Sequence, residues 1–312
     1  MIPSSVQTFI GGPHPPETAL YLLLDPLACG PQDAHLHLAT LRQELHEDAF
    51  TVLPRPDLAH TPDACPVLVT LAAPGCQPCA RLIELSILHS MRDANHPKRY
   101  VCGWLRSAAA PEAIAAHIVG LGQPPQKQQS QYFPVHEPLR LELLAASCKD
   151  VGHEPWWPIQ QWLFPTSSGA TSLLIGHPEQ VTALGIHVAI AQQDVPVVAA
   201  LLCSWRRALQ LPLTYAPLRW NGPTPLPPHA AIQAYGHIRQ ARALELHHQH
   251  DIMTLALYRL TVHPRLHEHP GVRDLIKQAI AGETRLGKLF SPYNDRAWER
   301  LACELTNKGT VR

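Results

Sequence analysis

The chain has 312 residues, enough for one large domain or two of ordinary size, each with a buried core. Lysine plus arginine and aspartate plus glutamate both number 25, so the formal net charge is zero. A chain without excess charge gains little from phosphate backbones or anionic membrane surfaces, and we expect it to bind neither nucleic acid nor membrane.

Features of a targeting segment or membrane span are missing from the sequence. The first five residues lack the basic region of a secretory signal and already include a proline. The most apolar stretch, residues 181–205, is broken by two glutamines and an aspartate, so it is too short and too polar to span a bilayer. We therefore expect a cytoplasmic protein whose eight cysteines are mostly reduced.

The first half of the chain alternates strand-like and helix-like segments. Short apolar runs closed by proline or glycine predict strands at residues 21–27, 50–53, 66–72, 100–105, 131–135 and 173–175. Longer segments between them predict helices at residues 32–47, 79–92, 111–119 and 138–148. Such alternation predicts an α/β lobe, residues 16–180, with a mainly parallel sheet and covering helices.

The second half follows a helical pattern from about residue 181. Residues 216–229 form a proline-rich connector, and apolar side chains then recur at helical spacing through residues 234–262. This spacing predicts one long amphipathic helix or a broken pair, followed by a helix at residues 272–280. We therefore predict an α-helical C-terminal lobe, residues 181–312.

Six short motifs follow one another in the chain: YLLLDPL at 21–27, CPVLVTL at 65–71, GWLRS at 103–107, QYFPVHEPLR at 131–140, WPIQQW at 157–162 and AYGHI at 234–238. Their order and spacing resemble a bacterial family of type VI secretion effector chaperones, or adaptors, catalogued as domain of unknown function 4123. The fourth motif departs from the family pattern, since Glu137 stands where the family has aspartate and Leu139 displaces Arg140.

The resemblance implies a cytoplasmic protein that is not an enzyme and needs no cofactor. Such an adaptor binds a type VI secretion effector, keeps it soluble and helps to load it onto the spike, at a VgrG or PAAR-type protein. The interface should be moderate and partly polar, because the client must be released.

Five residues are candidates for contact with the partner: Glu137, Arg140, Trp156, Trp157 and Tyr235. The two tryptophans belong to an aromatic cluster, and tryptophan is enriched in the energetic centres of interfaces. The alternative for this cluster is core packing between the two lobes.

A competing signal is the pair Cys76 and Cys79, which follows a predicted strand and precedes a predicted helix. That is the setting of a thioredoxin-type motif, in which the helix N-terminus activates the first thiol. The alternative function is therefore a thiol–disulfide oxidoreductase, and the simpler interpretation is two cysteines that pack a turn. A structural zinc site would need a second pair of ligands, and no second such cysteine pair exists in the sequence.

Neither the 20 histidines nor the common catalytic signatures predict a site. His247, His248 and His250 invite a metal interpretation, but a solvated helix face explains such a run more simply, and we expect no metal site. The sequence has no nucleophile elbow, no P-loop and no dinucleotide-binding glycine motif, so no catalytic residue is predicted.

Overall fold

The computed structural model describes residues 4–28, 30, 34–124, 131–150, 152, 154–178, 184–211 and 222–307. The chain divides into two compact units, Met1–Gln193 and Asp194–Arg312. The boundary predicted between residues 180 and 181 lies outside the described residues.

Unit 1 is built on one sheet of six strands. The strands are β1 (Ala19–Leu24), β2 (Phe50–Val52), β3 (Val67–Ala72), β4 (Val101–Ser107), β5 (Gln161–Pro165) and β6 (Thr171–Ile175). Their order across the sheet is β2-β3-β1-β4-β5-β6, and every neighbouring pair is antiparallel. The α/β class therefore holds, but the prediction of a mainly parallel sheet is wrong.

The connection between β3 and β4 explains this error. Both strands run antiparallel to β1, so they are parallel to each other, and helix α3 (Ala80–Arg92) links them as in a parallel crossover. However, β1 lies between them and pairs with each on one side. The sequence shows the strand–helix–strand order of a crossover but not the strand inserted into it.

Helices cover both faces of the sheet. They are α1 (Ser4–Gly11), α2 (Leu38–Glu44), α3, α4 (Pro111–Leu121), α5 (Pro138–Lys149) and the first turns of α6 (Ile186–Leu209). On one face Leu20, Leu22 and Leu24 of β1 join a core with α1, α2 and α3. On the other face Tyr21 and Leu23 join a core with α4, α5 and the start of α6. All six residues of β1 are buried, which is why this strand has a continuous apolar sequence.

Between residues 131 and 165 one predicted strand is wrong and one strand was not predicted. Residues 131–135 form no strand, although Tyr132, Phe133 and Val135 are buried in the core beside α4 and α5. The fifth strand is β5 instead, which the aromatic composition of its region concealed. Burial of an apolar segment thus does not distinguish a packed loop from a strand.

Unit 2 consists of helices in its described residues. After the remaining turns of α6 come α7 (Ala230–Ala243), α8 (Gln249–Thr261), α9 (Pro270–Ile280), α10 (Leu286–Phe290) and α11 (Asp295–Asn307). The helical prediction is confirmed for these segments, and residues 234–262 form a broken pair, α7 and α8.

The expectation that residues 181–205 are too short and too polar for a membrane span is wrong: helix α6 has the length and apolar composition that a span requires, although half of its most apolar window is buried. Its two buried polar side chains have partners: Gln192 bonds to Arg140, and Asp194 pairs with Arg242. The core helix of a soluble protein has the same combination of features.

Candidate functional site

The structure separates the two adjacent tryptophans among the candidate contact residues. Trp156 is 3% exposed and packs in the core that contains Ile159 and Trp162. Trp157 is 36% exposed, so it presents its side chain to solvent. A contact with a partner can therefore be made directly by Trp157, whereas Trp156 supports the fold beneath it.

Glu137 and Arg140 are brought together at the start of α5. Arg140 Nε lies 3.0 Å from Glu137 Oε2, and Lys98 Nζ lies 3.6 Å from Glu137 Oε1. Arg140 also donates to the main-chain oxygen of Gln192 at 3.0 Å, and the Gln192 amide donates back to the Arg140 carbonyl at 3.0 Å. These largely buried bonds fasten α5 to the first turns of α6.

Tyr235 lies in α7, within unit 2. Its ring lies under the guanidinium of Arg239, 5.8 Å from the ring centroid, and burial raises the pKa of its hydroxyl. The other four candidates belong to unit 1.

An exposed apolar edge of the sheet was not foreseen as a surface. Strand β6 pairs with β5, and among the described residues no strand lies on its other side. Leu173 and Ile175 are 44% and 45% exposed, while Leu174 between them packs against the core. The strand sequence TSLLI has no charge and no proline, the devices that usually protect such edges.

Trp157 adjoins the end of this strand. The next residue, Gly176, donates from its main-chain nitrogen to the Gln160 carbonyl at 3.0 Å. A Cβ at Gly176 would come within 2.8 Å of the Trp157 nitrogen. We call Trp157, Leu173 and Ile175 the β6 edge patch: three exposed apolar side chains on, or at the end of, a strand that has no partner strand on its outer side among the described residues.

A second feature is a buried polar cluster of Asp25, Cys102 and His136, each with no measurable exposure. Asp25 follows β1, Cys102 lies in β4, and His136 precedes α5. Asp25 Oδ2 lies 3.3 Å from His136 Nε2, and Asp25 Oδ1 accepts from the Leu27 N–H at 2.9 Å. One possible ligand atom from each member of the cluster lies within 4.8 Å of the others.

The environment of the cluster affects the protonation of its members. Burial alone would raise the pKa of the Asp25 carboxyl, but the hydrogen bond and charge of His136, the Leu27 N–H and Lys98 hold it below its usual value. Burial, together with the charge of Asp25, raises the pKa of the Cys102 thiol well above its usual value. Cys102 is therefore a protonated thiol, and it donates to the Arg99 carbonyl at 3.4 Å.

Cys76 and Cys79 do not adopt the arrangement that the redox alternative requires. Both are exposed free thiols, but Cys79 is the N-cap of α3, and Cys76 lies three residues earlier, outside the helix. In a thioredoxin-type site the helix N-terminus activates the first cysteine of the pair. Here that position belongs to the second cysteine.

His247, His248 and His250 are exposed at the start of α8. The described structure therefore agrees with a solvated surface for this histidine run.

No family model, no curated protein and no solved structure matches this chain. The resemblance carried by the six motifs therefore stays a prediction.

Proposed function

We propose that the protein is a cytoplasmic adaptor that binds a type VI secretion effector, keeps it soluble and helps to load it onto a VgrG or PAAR-type spike protein. The observation that carries the proposal is the β6 edge patch. An unprotected sheet edge with exposed leucine and isoleucine is a hazard for a protein that works alone, because another chain can pair with it.

The patch supports the binding of an extended apolar segment. No strand among the described residues pairs with the outer side of β6, and Leu173 and Ile175 offer apolar contacts at a two-residue repeat. A client strand that pairs with β6 would obtain affinity from main-chain hydrogen bonds and selectivity from alternate side chains. Trp157 at the end of the strand adds a large aromatic contact.

A surface of this size suits reversible binding. Five residues of strand and one tryptophan make a small interface, and small interfaces belong to transient complexes. An adaptor has to release its client to the spike, so moderate affinity serves it.

The test is isolation of the tagged protein from its native host, identification of the proteins bound to it, and measurement of the affinity for the purified client. We expect one large effector, with or without a spike protein. Leu173→Lys together with Ile175→Lys should weaken binding more than about tenfold, or 1.4 kcal/mol, because two charges would enter an apolar contact.

The matched control is Val52→Lys together with Leu88→Lys, at positions 39% and 40% exposed on the opposite edge strand and on α3. This variant should bind the client as the native protein does. Equal binding by both variants would refute the β6 edge as the contact surface. Recovery of mixed disulfides through Cys76 in place of an effector would refute the adaptor function and favour the redox alternative.

A further inference from the structure

Unit 2 contains a cluster of three basic side chains that come from three of its elements. His237 belongs to α7, Arg259 to α8 and His267 to the short helix Leu266–Glu268, and the three interact electrostatically. Arg259 is 4% exposed, and the two imidazoles are partly buried. Among the described residues, Arg259 Nη1 and the Nδ1 atom of each histidine are buried without a hydrogen-bond partner. Such atoms are uncommon in a native interior.

Arg259 brings a buried positive charge to the cluster, and no carboxylate among the described residues forms an ion pair with it. Its Nε donates to the Pro264 carbonyl at 2.7 Å. Glu268, whose charge acts on Arg259, is exposed, and its Oε2 lies 3.9 Å from Arg265 Nη1. A second positive charge beside the Arg259 guanidinium would therefore meet repulsion that solvent screens only in part.

The surroundings of both histidines oppose their protonation. Burial, together with the charges of Arg259 and His267, lowers the pKa of His237 to about 4. Burial, Arg259 and Arg273 lower the pKa of His267, and the charge of Glu268 counters them in part. The folded chain thus keeps both imidazoles neutral at pH 7, whereas the unfolded chain protonates them near about pH 6.5.

The segment that carries His267 joins three helices of unit 2. Besides the bond from Arg259 of α8, Arg265 donates to the Leu305 carbonyl of α11 at 2.6 Å. Arg273 of α9 donates to the Glu268 carbonyl at 3.2 Å. Repulsion at His267 therefore acts where α8, α9 and α11 are held to one short segment.

The two other histidines of this segment respond to acid in opposite ways. His263 Nδ1 accepts from the Arg265 N–H at 3.1 Å, so protonation of this nitrogen removes a hydrogen bond. His269 Nε2 lies 3.0 Å from Glu304 Oε2, and its protonation turns this contact into an ion pair. The Glu304 side chain is 49% exposed, and exposed ion pairs contribute little. The response to acid is therefore set mainly by the buried cluster.

We propose that His237, Arg259 and His267 form an acid-sensitive contact that loosens the helices of unit 2 below about pH 6. At neutral pH both imidazoles are uncharged, and the segment between α8 and α9 stays packed. As the pH falls below about 6.5, the unfolded chain binds protons that the folded chain accepts only at lower pH, so the stability of the folded unit decreases. The contact lies within unit 2, and it does not depend on the adaptor function.

The first experiment is a pH titration of the imidazole signals of the native full-length chain by nuclear magnetic resonance, assigned through the backbone. We expect a pKa of about 4 for His237 and a value below the ordinary one for His267. This measurement needs no variant to fold. Values at or above about 6.5 for both histidines would overturn the proposal.

The second experiment compares urea unfolding at pH 7.5 and pH 5, followed by the amide signals of α8 and α9. From the higher to the lower pH, the folding equilibrium constant should fall about tenfold more in the native protein than in His237→Gln, His267→Gln, after allowance for solvent screening of partly exposed imidazoles.

The matched control is His247→Gln together with His248→Gln, which removes two exposed histidines of the same unit. This variant should lose as much stability between the two pH values as the native protein does. Equal losses in the native protein and in His237→Gln, His267→Gln would show that the cluster does not cause the response to acid, and the proposal would fail.

Discussion

Among single residues, Asp25 supports the strongest prediction, because its buried carboxylate is paired with His136. The pKa of Asp25 is lower in the folded chain than its usual value, so ionisation of this group contributes stability above about pH 4 that is lost as the pH falls through the folded pKa. Asp25→Asn should lower the free energy of unfolding at pH 7 by about 3 kcal/mol, because it leaves His136 without its buried partner. Urea unfolding of the native protein and of Asp25→Asn from pH 7 to pH 2 measures the difference in their free energies of unfolding.

The difference between native protein and Asp25→Asn should shrink as the solution becomes acidic, since the native carboxylate is then protonated. Other carboxyl groups titrate in both proteins and cancel in the difference. Asp63→Asn, at an exposed position, provides the control and should change stability little. A difference that does not depend on pH would show that the charge of Asp25 is not what stabilises the fold.

For single residues, the sequence identifies candidate side chains but not which other side chains they contact in the fold. It predicts Trp156 and Trp157 as one aromatic group, yet only the structure shows that one is buried and the other exposed. It cannot join Asp25 to His136, because 111 residues separate them and neither motif implies the other. The β6 edge patch was missed for a related reason: which strand lies at an edge depends on pairing, not on local composition.

For strand β6, the testable feature is the glycine that follows it, Gly176, which lies close to the main chain of the segment before β5. A Cβ at Gly176 would collide with the carbonyl oxygen of Ile159, which is main chain and cannot move aside freely. Gly176→Ala should therefore lower the free energy of unfolding by about 1–3 kcal/mol and speed amide exchange in β5 and β6. Chemical denaturation and hydrogen exchange measure the two effects.

Gly120→Ala in α4 is the matched control, since nothing lies within 4 Å of a Cβ at that position. Gly120 lies in the last turn of α4, where alanine should raise the free energy of unfolding by at most about 0.5–1 kcal/mol. Equal and small effects at the two positions would mean that the loop before β5 yields readily, and that the end of β6 is not held by this close approach.

Helices and strands were predicted correctly where a segment has a regular hydrophobic period or a residue that marks its start or end. Helices α3, α4, α5 and α9 begin within two residues of the predicted starts, and prolines mark three of these starts. Residues 131–135 failed because an apolar segment can be buried without pairing, and β5 was missed because a short strand rich in aromatic residues has no distinct period.

At the scale of the whole molecule, unit 1 contains both of its cores. The buried residues of these cores all lie before residue 190. A fragment of residues 1–211, which keeps α6 complete, should therefore fold without α7 to α11. We expect cooperative urea unfolding and a near-ultraviolet circular dichroism signal from the fully buried Trp104 and Trp162.

The full-length chain, studied under the same conditions, is the reference for that fragment. A fragment with helical far-ultraviolet signal but no near-ultraviolet signal would be a molten state, and unit 1 would then depend on unit 2 for its packing.

The order of elements is well predicted at this scale and the sheet topology is not. Alternating strands and helices fit a parallel sheet as well as the split arrangement found here, because the choice depends on where β1 inserts. That choice is made by contacts between residues 19–24 and two strands that are distant in sequence.

The central position of β1 has a consequence for synthesis of the protein on the ribosome. This strand leaves the exit tunnel before its two partners, β3 and β4, which are translated about 50 and 80 residues later. Until then its apolar residues have no sheet to join, so a nascent chain that stalls before residue 107 exposes an uncharged, largely apolar strand. The protein that we propose to keep another protein soluble would thus itself need protection of β1 from aggregation while it is being synthesised.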